Sequence, residues 1–415
     1  MHRRVSRQRQ HMDWMLLAVV ASLLAFGVIS VYSASYADAQ RQTGNGAYYF
    51  LRQMIWAALG VGTMTVAAVM DYRIWRRYSI PIMAVALLGL LAVLVLSEER
   101  FGAQRNLFNG SVQPSEFAKI AVIIYLAAWL SSREKTLRDA RLGLVPFGVL
   151  LGIITMLIVA EPNLSTAILI VATAIAMFFI AGADIKQLGI ALVVLAVTFA
   201  LLISQSEYAQ SRIRDYIQFL RDPSRGGSDQ ARQAVKLLIQ GGLTGRGGPG
   251  AAQLDPNAYI PIGWSDAILA IVGRDTGLLG TLLVVGLFAG LLYRGFRIAL
   301  HAHDHFGMLL ASGVTFWLVF QAIINIGVIT AMIPFTGMPL PFISYGGSSL
   351  VTAMTGIGLL LSVSRGGRPA RQEEGVSAGL VLRRGHRRPR VSILSDRTGP
   401  IGRAPIKRRS RRSRR

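Results

Sequence analysis

An acidic residue stands where a turn meets a long apolar run in the stretch YIPIGWSDAILAIVGRDTGLLG, residues 259 to 280. Asp266 follows Pro261 and Gly263 and directly precedes the predicted helix. A carboxylate at a helix start is a good N-cap, because it accepts hydrogen bonds from backbone N–H groups that have no partner within the helix. The same carboxylate is also suited to chemistry, so both a capping role and a functional role stay open for Asp266.

Two opposite charges begin another predicted helix, in GAQRNLFNGSVQPSEFAKIAVIIYLAAWL, residues 102 to 130. Pro114 suits the first helical turn, and Glu116 and Lys119 are three residues apart and therefore share one helix face. One interpretation is a local ion pair that neutralises both charges. The other is a polar wall that faces a cavity, because ionisable groups at membrane depth usually line one.

Prolines and glycines interrupt the apolar stretch MIPFTGMPLPFISYGGSSLVTAMTGIGLLL, residues 332 to 361. The pattern predicts that no continuous helix joins Pro334 to Gly347. Non-helical backbone at membrane depth must be buried in protein or line a water-filled cavity. We therefore predict a re-entrant or broken segment that turns four polar side chains toward the interior, with a purely structural turn as the alternative. The four are Ser344, Tyr345, Ser348 and Ser349.

A glycine-rich stretch, KLLIQGGLTGRGGPGAAQ, precedes the segment that contains Asp266. Glycine allows close backbone approach, and Arg246 adds positive charge beside backbone N–H groups. This combination suits an anionic ligand. An ordinary loop is the alternative interpretation.

The composition indicates the elements that position these residues. The chain of 415 residues is 52% apolar and 16% charged, which is typical of a polytopic membrane protein. A transmembrane helix needs about 20 mostly apolar residues. We predict an all-α integral membrane protein with about ten spans, near residues 14–33, 50–70, 79–97, 114–131, 142–160, 164–182, 187–205, 267–292, 306–331 and 348–363.

The distribution of Lys and Arg predicts the orientation. The stretches MHRRVSRQRQH, DYRIWRRY and SSREKTLRDAR are basic, as expected of cytoplasmic segments, whereas EPN and AMIPFTGMPLPF carry no Lys or Arg. An even number of spans then places both termini in the cytoplasm. The predicted parts are a basic N-terminus (1–13), a membrane domain (14–365) with a large extracytoplasmic loop (206–266) between spans seven and eight, and a basic cytoplasmic tail (366–415). The first span is expected to remain as an anchor rather than to be cleaved as a signal peptide.

The tail carries much of the net charge of +23, with sixteen Lys or Arg residues against three acidic ones between 366 and 415. Its Gly, Pro and Ser content and lack of apolar periodicity predict disorder. We expect it to be attracted to anionic lipid, or to dock on a cytoplasmic partner, and we expect no specific nucleic-acid binding. The chain has no cysteine, which excludes disulfides, thiolate metal sites and a cysteine nucleophile.

Three motifs in this order resemble the SEDS family of FtsW, RodA and SpoVE proteins. They are QPSEFAK, YIPIGWSDAILAIVGRDTGLLG and PLPFISYGGSSLV, within roughly residues 13 to 365. The resemblance implies a glycosyltransferase of peptidoglycan synthesis that polymerises lipid II into glycan strands outside the cytoplasmic membrane. It also implies a class B penicillin-binding protein as partner, and slightly favours a division role like that of FtsW over an elongation role like that of RodA.

The resemblance gives Asp266 a catalytic role, because it aligns with an aspartate that the family needs for polymerisation. Its carboxylate is suited to act as a general base, or to hold a divalent cation, Mg²⁺ or Mn²⁺, beside the leaving pyrophosphate. No organic cofactor is expected. By the same analogy, Arg105, Glu116 and Lys119 are expected to line the substrate cavity, with the cations meeting pyrophosphate.

Several positions depart from the family pattern. Ile262 and Trp264 replace a common Glu and His, Arg274 replaces one member of an acidic pair, Asn163 stands in a Q-P-D-L-G-T-A-like motif, and Asn106 replaces a tryptophan. These departures allow for a divergent substrate or for a dependence on the partner. Two other classes also stay open: a flippase or transporter of the lipid-linked precursor, and a non-catalytic scaffold of a cell-wall synthesis complex.

Overall fold

The computed structural model describes residues 12–96, 113–133, 137, 139, 143–161, 163–223, 226, 228–247, 263 and 265–366. Within these ranges the regular secondary structure is entirely helical. The predictions for Arg105, Asn106, Ile262, Trp264 and the basic tail beyond residue 366 fall outside the described residues.

The described helices, numbered in chain order, are the following: α1 Trp14–Thr43, α2 Tyr48–Val69, α3 Tyr72–Arg77, α4 Ser79–Leu96, α5 Pro114–Ser132, α6 Leu144–Ala160, α7 Leu164–Ile180, α8 Ile185–Gln205, α9 Glu207–Arg221, α10 Asp229–Gly241, α11 Ile268–Leu300, α12 His305–Ile329 and α13 Gly347–Gly366. Polar side chains fix several of the starts. Asp13, Asn163 and Asp304 accept hydrogen bonds from backbone N–H groups in the first turns of α1, α7 and α12.

Each of the ten predicted spans coincides with a helix, which confirms an all-α, multi-pass membrane protein. Among the described residues, six helices are long and apolar enough to cross a membrane: α1, α5, α8, α11, α12 and α13. Residues Ser79–Val95 and the helices α6 and α7 are shorter apolar segments.

The core lies around α12, which packs against α5, α7, α11 and α13. Trp317 of α12 is almost fully buried. Helix α13 packs along α2, and this is the most extensive contact between two described helices. In contrast, α8 makes its main described contacts with its neighbours α6, α7 and α9, and it exposes most of its apolar side chains. In a bilayer these side chains face lipid, so their exposure in the folded chain carries no penalty.

The predicted loop between spans seven and eight contains two amphipathic helices, α9 and α10. Ser206 and Ser228 cap their N-termini. Ala234 and Leu237 of α10 are buried, and α10 packs along α11. This loop therefore forms a folded layer beside the membrane helices.

The eighth predicted span is interrupted, whereas the sequence favoured one continuous helix. Gly277 has φ of 69° and ψ of −164° inside α11, and the backbone there pairs with the glycine-rich stretch. Leu278 N donates to Gly242 O at 2.9 Å, and Leu279 N donates to Leu243 O at 3.2 Å. Because backbone groups freed from a helix need other partners at membrane depth, the loop and the break support each other.

The segment between α12 and α13 is non-helical, as the prolines predicted. Leu340, Phe342 and Ile343 are almost fully buried, so protein surrounds this backbone. A Cβ atom at Gly27 of α1 would lie 2.3 Å from Phe342 O, which shows that α1 approaches the segment closely.

Candidate functional site

Asp266 lies immediately before the first turn of α11 and is partly exposed. The N-cap position belongs to Ala267, and no side chain caps this helix, so the capping interpretation of Asp266 is wrong. A Cβ atom at Gly337 would lie 3.2 Å from Asp266 Oδ2. The carboxylate therefore lies against the non-helical segment that follows α12, and it remains close to the positive end of the α11 dipole.

Two amide side chains of α12 donate hydrogen bonds to the backbone of this segment. Asn325 Nδ2 donates to Asp266 O at 2.8 Å and to Met338 O at 2.7 Å. Gln321, one helical turn earlier, donates through Nε2 to Pro339 O at 2.8 Å. Both side chains are almost fully buried. Sequence reasoning missed both residues, although two amides four residues apart in an apolar helix are a recognisable signal.

Glu116 and Lys119 form the predicted ion pair, with 2.7 Å between Lys119 Nζ and Glu116 Oε2. Lys119 Nζ also donates to Gln321 Oε1 at 3.1 Å and lies 5.5 Å from the centre of the Trp317 ring. The pair is thus joined through Gln321 to the backbone segment beside Asp266. Both side chains are buried in the folded chain. Substrate binding by Glu116 and Lys119 stays a prediction.

An apolar cavity of about 430 Å³ borders the same segment. Thr336 and Met338 line this cavity, whereas Gly337 between them lies at the Asp266 carboxylate. The remaining walls are mostly apolar side chains of α6, α7, α8, α9 and α12, including Val159, Ile168, Leu202, Ile213 and Ile324. The carboxylate and the apolar cavity therefore both adjoin one strip of backbone, residues 336 to 338.

Arg212 of α9 also lines the cavity and was missed by the sequence interpretation. Its guanidinium carbon lies 5.5 Å from the centre of the Phe335 ring. Ser165 adds a polar contact at the wall, where its hydroxyl donates to Thr336 O at 2.9 Å. The cavity thus combines apolar walls with a cation and hydroxyl groups, which suits an amphiphile with an anionic head.

The four polar residues of the glycine-serine motif lie toward α2 and the start of α13. Ser344 Oγ accepts from Leu340 N at 2.8 Å and so closes a turn. The Tyr345 ring packs edge-on against Tyr49 at 5.5 Å. Ser348 and Ser349 lie in the first turn of α13 and are half-buried. Ser344 thus has the structural role that we held as the alternative, and substrate contact by the four stays a prediction.

The glycine-rich stretch uses its backbone donors for packing. Gly245 N donates to Gly241 O, Arg246 N donates to Arg274 O, and Gly247 N donates to Asp275 O. These three N–H groups are therefore unavailable to an anion, and the part of the stretch from residue 248 onward lies outside the described residues. The Arg246 side chain is exposed, and its substrate role stays a prediction.

Two of the departures from the family pattern have structural positions. Arg274 is buried beside the break in α11, and Asp275 Oδ2 accepts from the Ser33 hydroxyl of α1 at 2.6 Å. Asn163 caps α7 and donates to Ser115 Oγ at 3.3 Å. Arg274 thus lies at the break in α11, and Asn163 at the start of α7.

The donors available to a metal ion are few. Within the described ranges, no group of three or more His, Asp or Glu side chains is positioned to hold an ion. A single carboxylate ligand such as Asp266 fits a Mg²⁺ or Mn²⁺ ion that takes its other ligands from water and from substrate phosphates. It does not fit an ion held by protein side chains alone.

Comparisons with known proteins agree with this architecture. Residues 13–368 match the family model FTSW_RODA_SPOVE, described as "Cell cycle protein". A probable peptidoglycan glycosyltransferase FtsW of Geobacter metallireducens is 37% identical over 364 residues, covering 86% of this chain and 96% of that protein. The stage V sporulation protein E of Bacillus subtilis is 37% identical over 360 residues, covering 85% and 97%.

Solved structures of similar proteins have the same fold. One chain, from work on "Structural coordination of polymerization and crosslinking by a peptidoglycan synthase complex", has a TM-score of 0.70, is 26% identical and covers 85% of this chain and 98% of its own length. The rod shape determining protein RodA of Thermus thermophilus has a TM-score of 0.62 at 24% identity and covers 85% and 97%. The latter likeness concerns the fold alone.

Proposed function

The chain belongs to the FtsW, RodA and SpoVE family of cell cycle proteins and is a peptidoglycan glycosyltransferase, and on that premise we propose that it polymerises lipid II with Asp266 as its catalytic carboxylate. The observation that carries the proposal is that Asp266 and the apolar cavity adjoin the same strip of backbone. A lipid-linked sugar requires such a pairing, because its polyprenyl chain needs an apolar site while its pyrophosphate and sugar react in water.

The reaction balances with one carboxylate. The 4-hydroxyl oxygen of the acceptor sugar attacks the anomeric carbon of the donor, and a new C–O bond forms. The bond between that carbon and the pyrophosphate oxygen breaks, and undecaprenyl pyrophosphate leaves with the electron pair. The Asp266 carboxylate takes the hydroxyl proton as general base. The alternative role for the same carboxylate is to bind a divalent cation.

The cavity is the site at which we place the polyprenyl chain. Its walls are apolar, and Arg212 supplies a positive charge that suits the pyrophosphate. We propose that Arg105, Arg246 and the polar residues of the glycine-serine motif contact the sugars and the pyrophosphate of the substrate. The nascent glycan strand occupies the open side of Asp266.

A divalent cation, Mg²⁺ or Mn²⁺, would be held by Asp266 together with pyrophosphate oxygens. When bound, it would neutralise the charge that develops on the leaving pyrophosphate. The protein's own contribution is to hold the carboxylate at a fixed place beside Gly337.

We place the site at the outer face of the bacterial cytoplasmic membrane, because the basic inter-helix segments then lie in the cytoplasm. A class B penicillin-binding protein is the proposed partner, in keeping with the synthase complex among the structural neighbours. The basic tail would meet anionic lipid or a cytoplasmic partner. Division is slightly favoured over elongation as the setting.

The test follows conversion of lipid II to glycan polymer by purified protein, with and without its penicillin-binding partner, in Mg²⁺ or Mn²⁺. We expect Asp266→Asn to abolish polymer while the protein stays folded, and Asp229→Asn, at an exposed position of α10, to leave activity intact. Equal polymer from wild type and Asp266→Asn would remove Asp266 from the mechanism. Lipid II scrambling in vesicles without any polymer would favour a transporter, and partner recruitment alone would favour a scaffold.

A further inference from the structure

We propose that Asn325 is a positioning residue for the transferase reaction, because its side-chain amide holds the backbone of Asp266 against the segment that flanks the carboxylate. The inference rests on the proposed function. It assigns to α12 the task of keeping the catalytic carboxylate in place from a buried position, without contact with the sugars.

The geometry uses both hydrogens of one amide group. A side-chain NH₂ has two donors, and Asn325 Nδ2 spends one on Asp266 O and the other on Met338 O, at 2.8 and 2.7 Å. Asp266 and Met338 are distant in sequence and belong to different segments. A single nitrogen therefore fixes the distance between the start of α11 and the backbone strip beside the cavity.

Gln321 reinforces the same arrangement one turn earlier on α12. Its Nε2 donates to Pro339 O, and its Oε1 accepts from Lys119 Nζ and from Trp317 Nε1. Those two donors fix which end of the Gln321 amide faces Pro339. Consecutive carbonyl groups, at 338 and 339, are thus held by two side chains of one helix face.

The strip that these amides hold is the one that the Asp266 carboxylate touches. A Cβ atom at Gly337 would lie 3.2 Å from Asp266 Oδ2, so a shift of the strip by 1 Å would change the surroundings of the carboxylate directly. Misplacement of a catalytic group by about 1 Å is able to cost about a hundredfold in rate. The larger effect is expected on the chemical step, because Asn325 holds the backbone of Asp266 itself, whereas among the described cavity-lining residues its hydrogen bonds reach only Met338.

The test replaces Asn325 by Asp, which has nearly the same shape but no amide donors and faces two carbonyl oxygens. We expect kcat for polymer synthesis to fall by tenfold to a hundredfold while KM for lipid II changes less than about threefold. Asn325→Gln keeps the two donors on a longer side chain and is expected to recover part of kcat. Asn163→Asp is the matched control, because it makes the same change at a buried helix cap that keeps its acceptor oxygen.

The two kinetic constants and the melting temperature in detergent separate positioning from a structural role. A kcat near that of wild type in Asn325→Asp would overturn the inference. The inference would also be overturned if Asn325→Asp lost activity together with a lower melting temperature and a higher KM, and if Asn325→Gln recovered no kcat. If Asn325→Asp does not fold, Asn325→Ser, which keeps one donor, decides by the same constants. Failure of the proposed function is distinguishable, since it would appear as an inactive wild type or an active Asp266→Asn.

Discussion

Lys119 Nζ lies 2.7 Å from Glu116 Oε2, and both side chains are almost fully shielded inside the helix bundle. An ion pair in this setting stabilises the fold only as a pair, because either charge alone would be buried without compensation. The pair also orients Gln321, which holds the backbone near Asp266. Charge balance and site geometry are therefore linked.

Lys119→Met is expected to lower the free energy of unfolding by about 3 to 5 kcal/mol, because it leaves Glu116 buried and unpaired. The double change of Glu116→Gln with Lys119→Met removes both charges and is expected to restore part of that loss. Thermal unfolding in detergent measures both. Lys186→Met, at an exposed position of α8, is the control and is expected to stay within about 0.5 kcal/mol of wild type. Equal stability of the single and double variants would contradict the coupling.

Gly277→Ala is expected to destabilise the protein, since a Cβ atom there would lie 2.4 Å from Leu243 O and from Gly245 N, and φ is 69°. The change would force apart α11 and the glycine-rich stretch. Gly286→Ala, in the same helix with no heavy atom within 4 Å of its added Cβ, is the matched control. We expect a lower melting temperature for the first variant only, and similar values for both would show that the break in α11 is not needed.

The environment of Tyr72, which lies outside the membrane-spanning helices, predicts that the stability of the protein depends on pH. Its hydroxyl donates to Asp304 Oδ2 at 3.1 Å, and burial, with the nearby Asp304 charge, raises the pKa of Tyr72 to about 12. A raised pKa in the folded state stabilises the protein below the unfolded pKa of about 10, and this stability is lost as the pH rises toward 12.

Melting temperatures measured from pH 9 to pH 12 test this expectation. The wild type should lose more stability across the upper part of that range than Tyr72→Phe, by about 2 to 3 kcal/mol, because Phe cannot ionise. Tyr293→Phe, at an exposed tyrosine of α11, is the control. Parallel curves for wild type and Tyr72→Phe would contradict the raised pKa.

The apolar cavity offers a test of the proposed lipid site that leaves Asp266 untouched. Leu202 of α8 lines the cavity, whereas its neighbour Leu201 is exposed on the outer face of the same helix. Leu202→Trp fills part of the cavity and is expected to raise KM for lipid II about tenfold, which corresponds to about 1.4 kcal/mol of binding. Leu201→Trp should leave KM near that of wild type. An equal effect of both changes on KM would place the polyprenyl chain elsewhere.

The helical architecture follows closely from the sequence. Apolar segments of membrane-spanning length identify ten helices, and Pro114 marks the start of α5 where the structure has it. The prolines between Pro334 and Gly347 correctly predict broken helix. These features are local, because in a bilayer each segment must form its own backbone hydrogen bonds. The composition of each segment is therefore enough to predict them.

The break at Gly277 was not predictable in the same way. A single glycine inside an apolar run is compatible with a straight helix, and the deciding factor is the pairing of that backbone with residues 242 to 247. Helix α10 in the predicted loop depends likewise on its packing against α11, which follows it beyond the glycine-rich stretch.

The sequence by itself determined the order of the ten apolar spans, the shared helix face of Glu116 and Lys119, and the position of Asp266 before a helix. Only the tertiary structure decided that Asn325 and Gln321 hold the backbone around Asp266, that Arg212 shares a cavity with Met338, and that Ala267 occupies the N-cap position. The physical reason is that helix formation depends on neighbours within a few residues, whereas a site depends on the distances between segments that packing alone brings together.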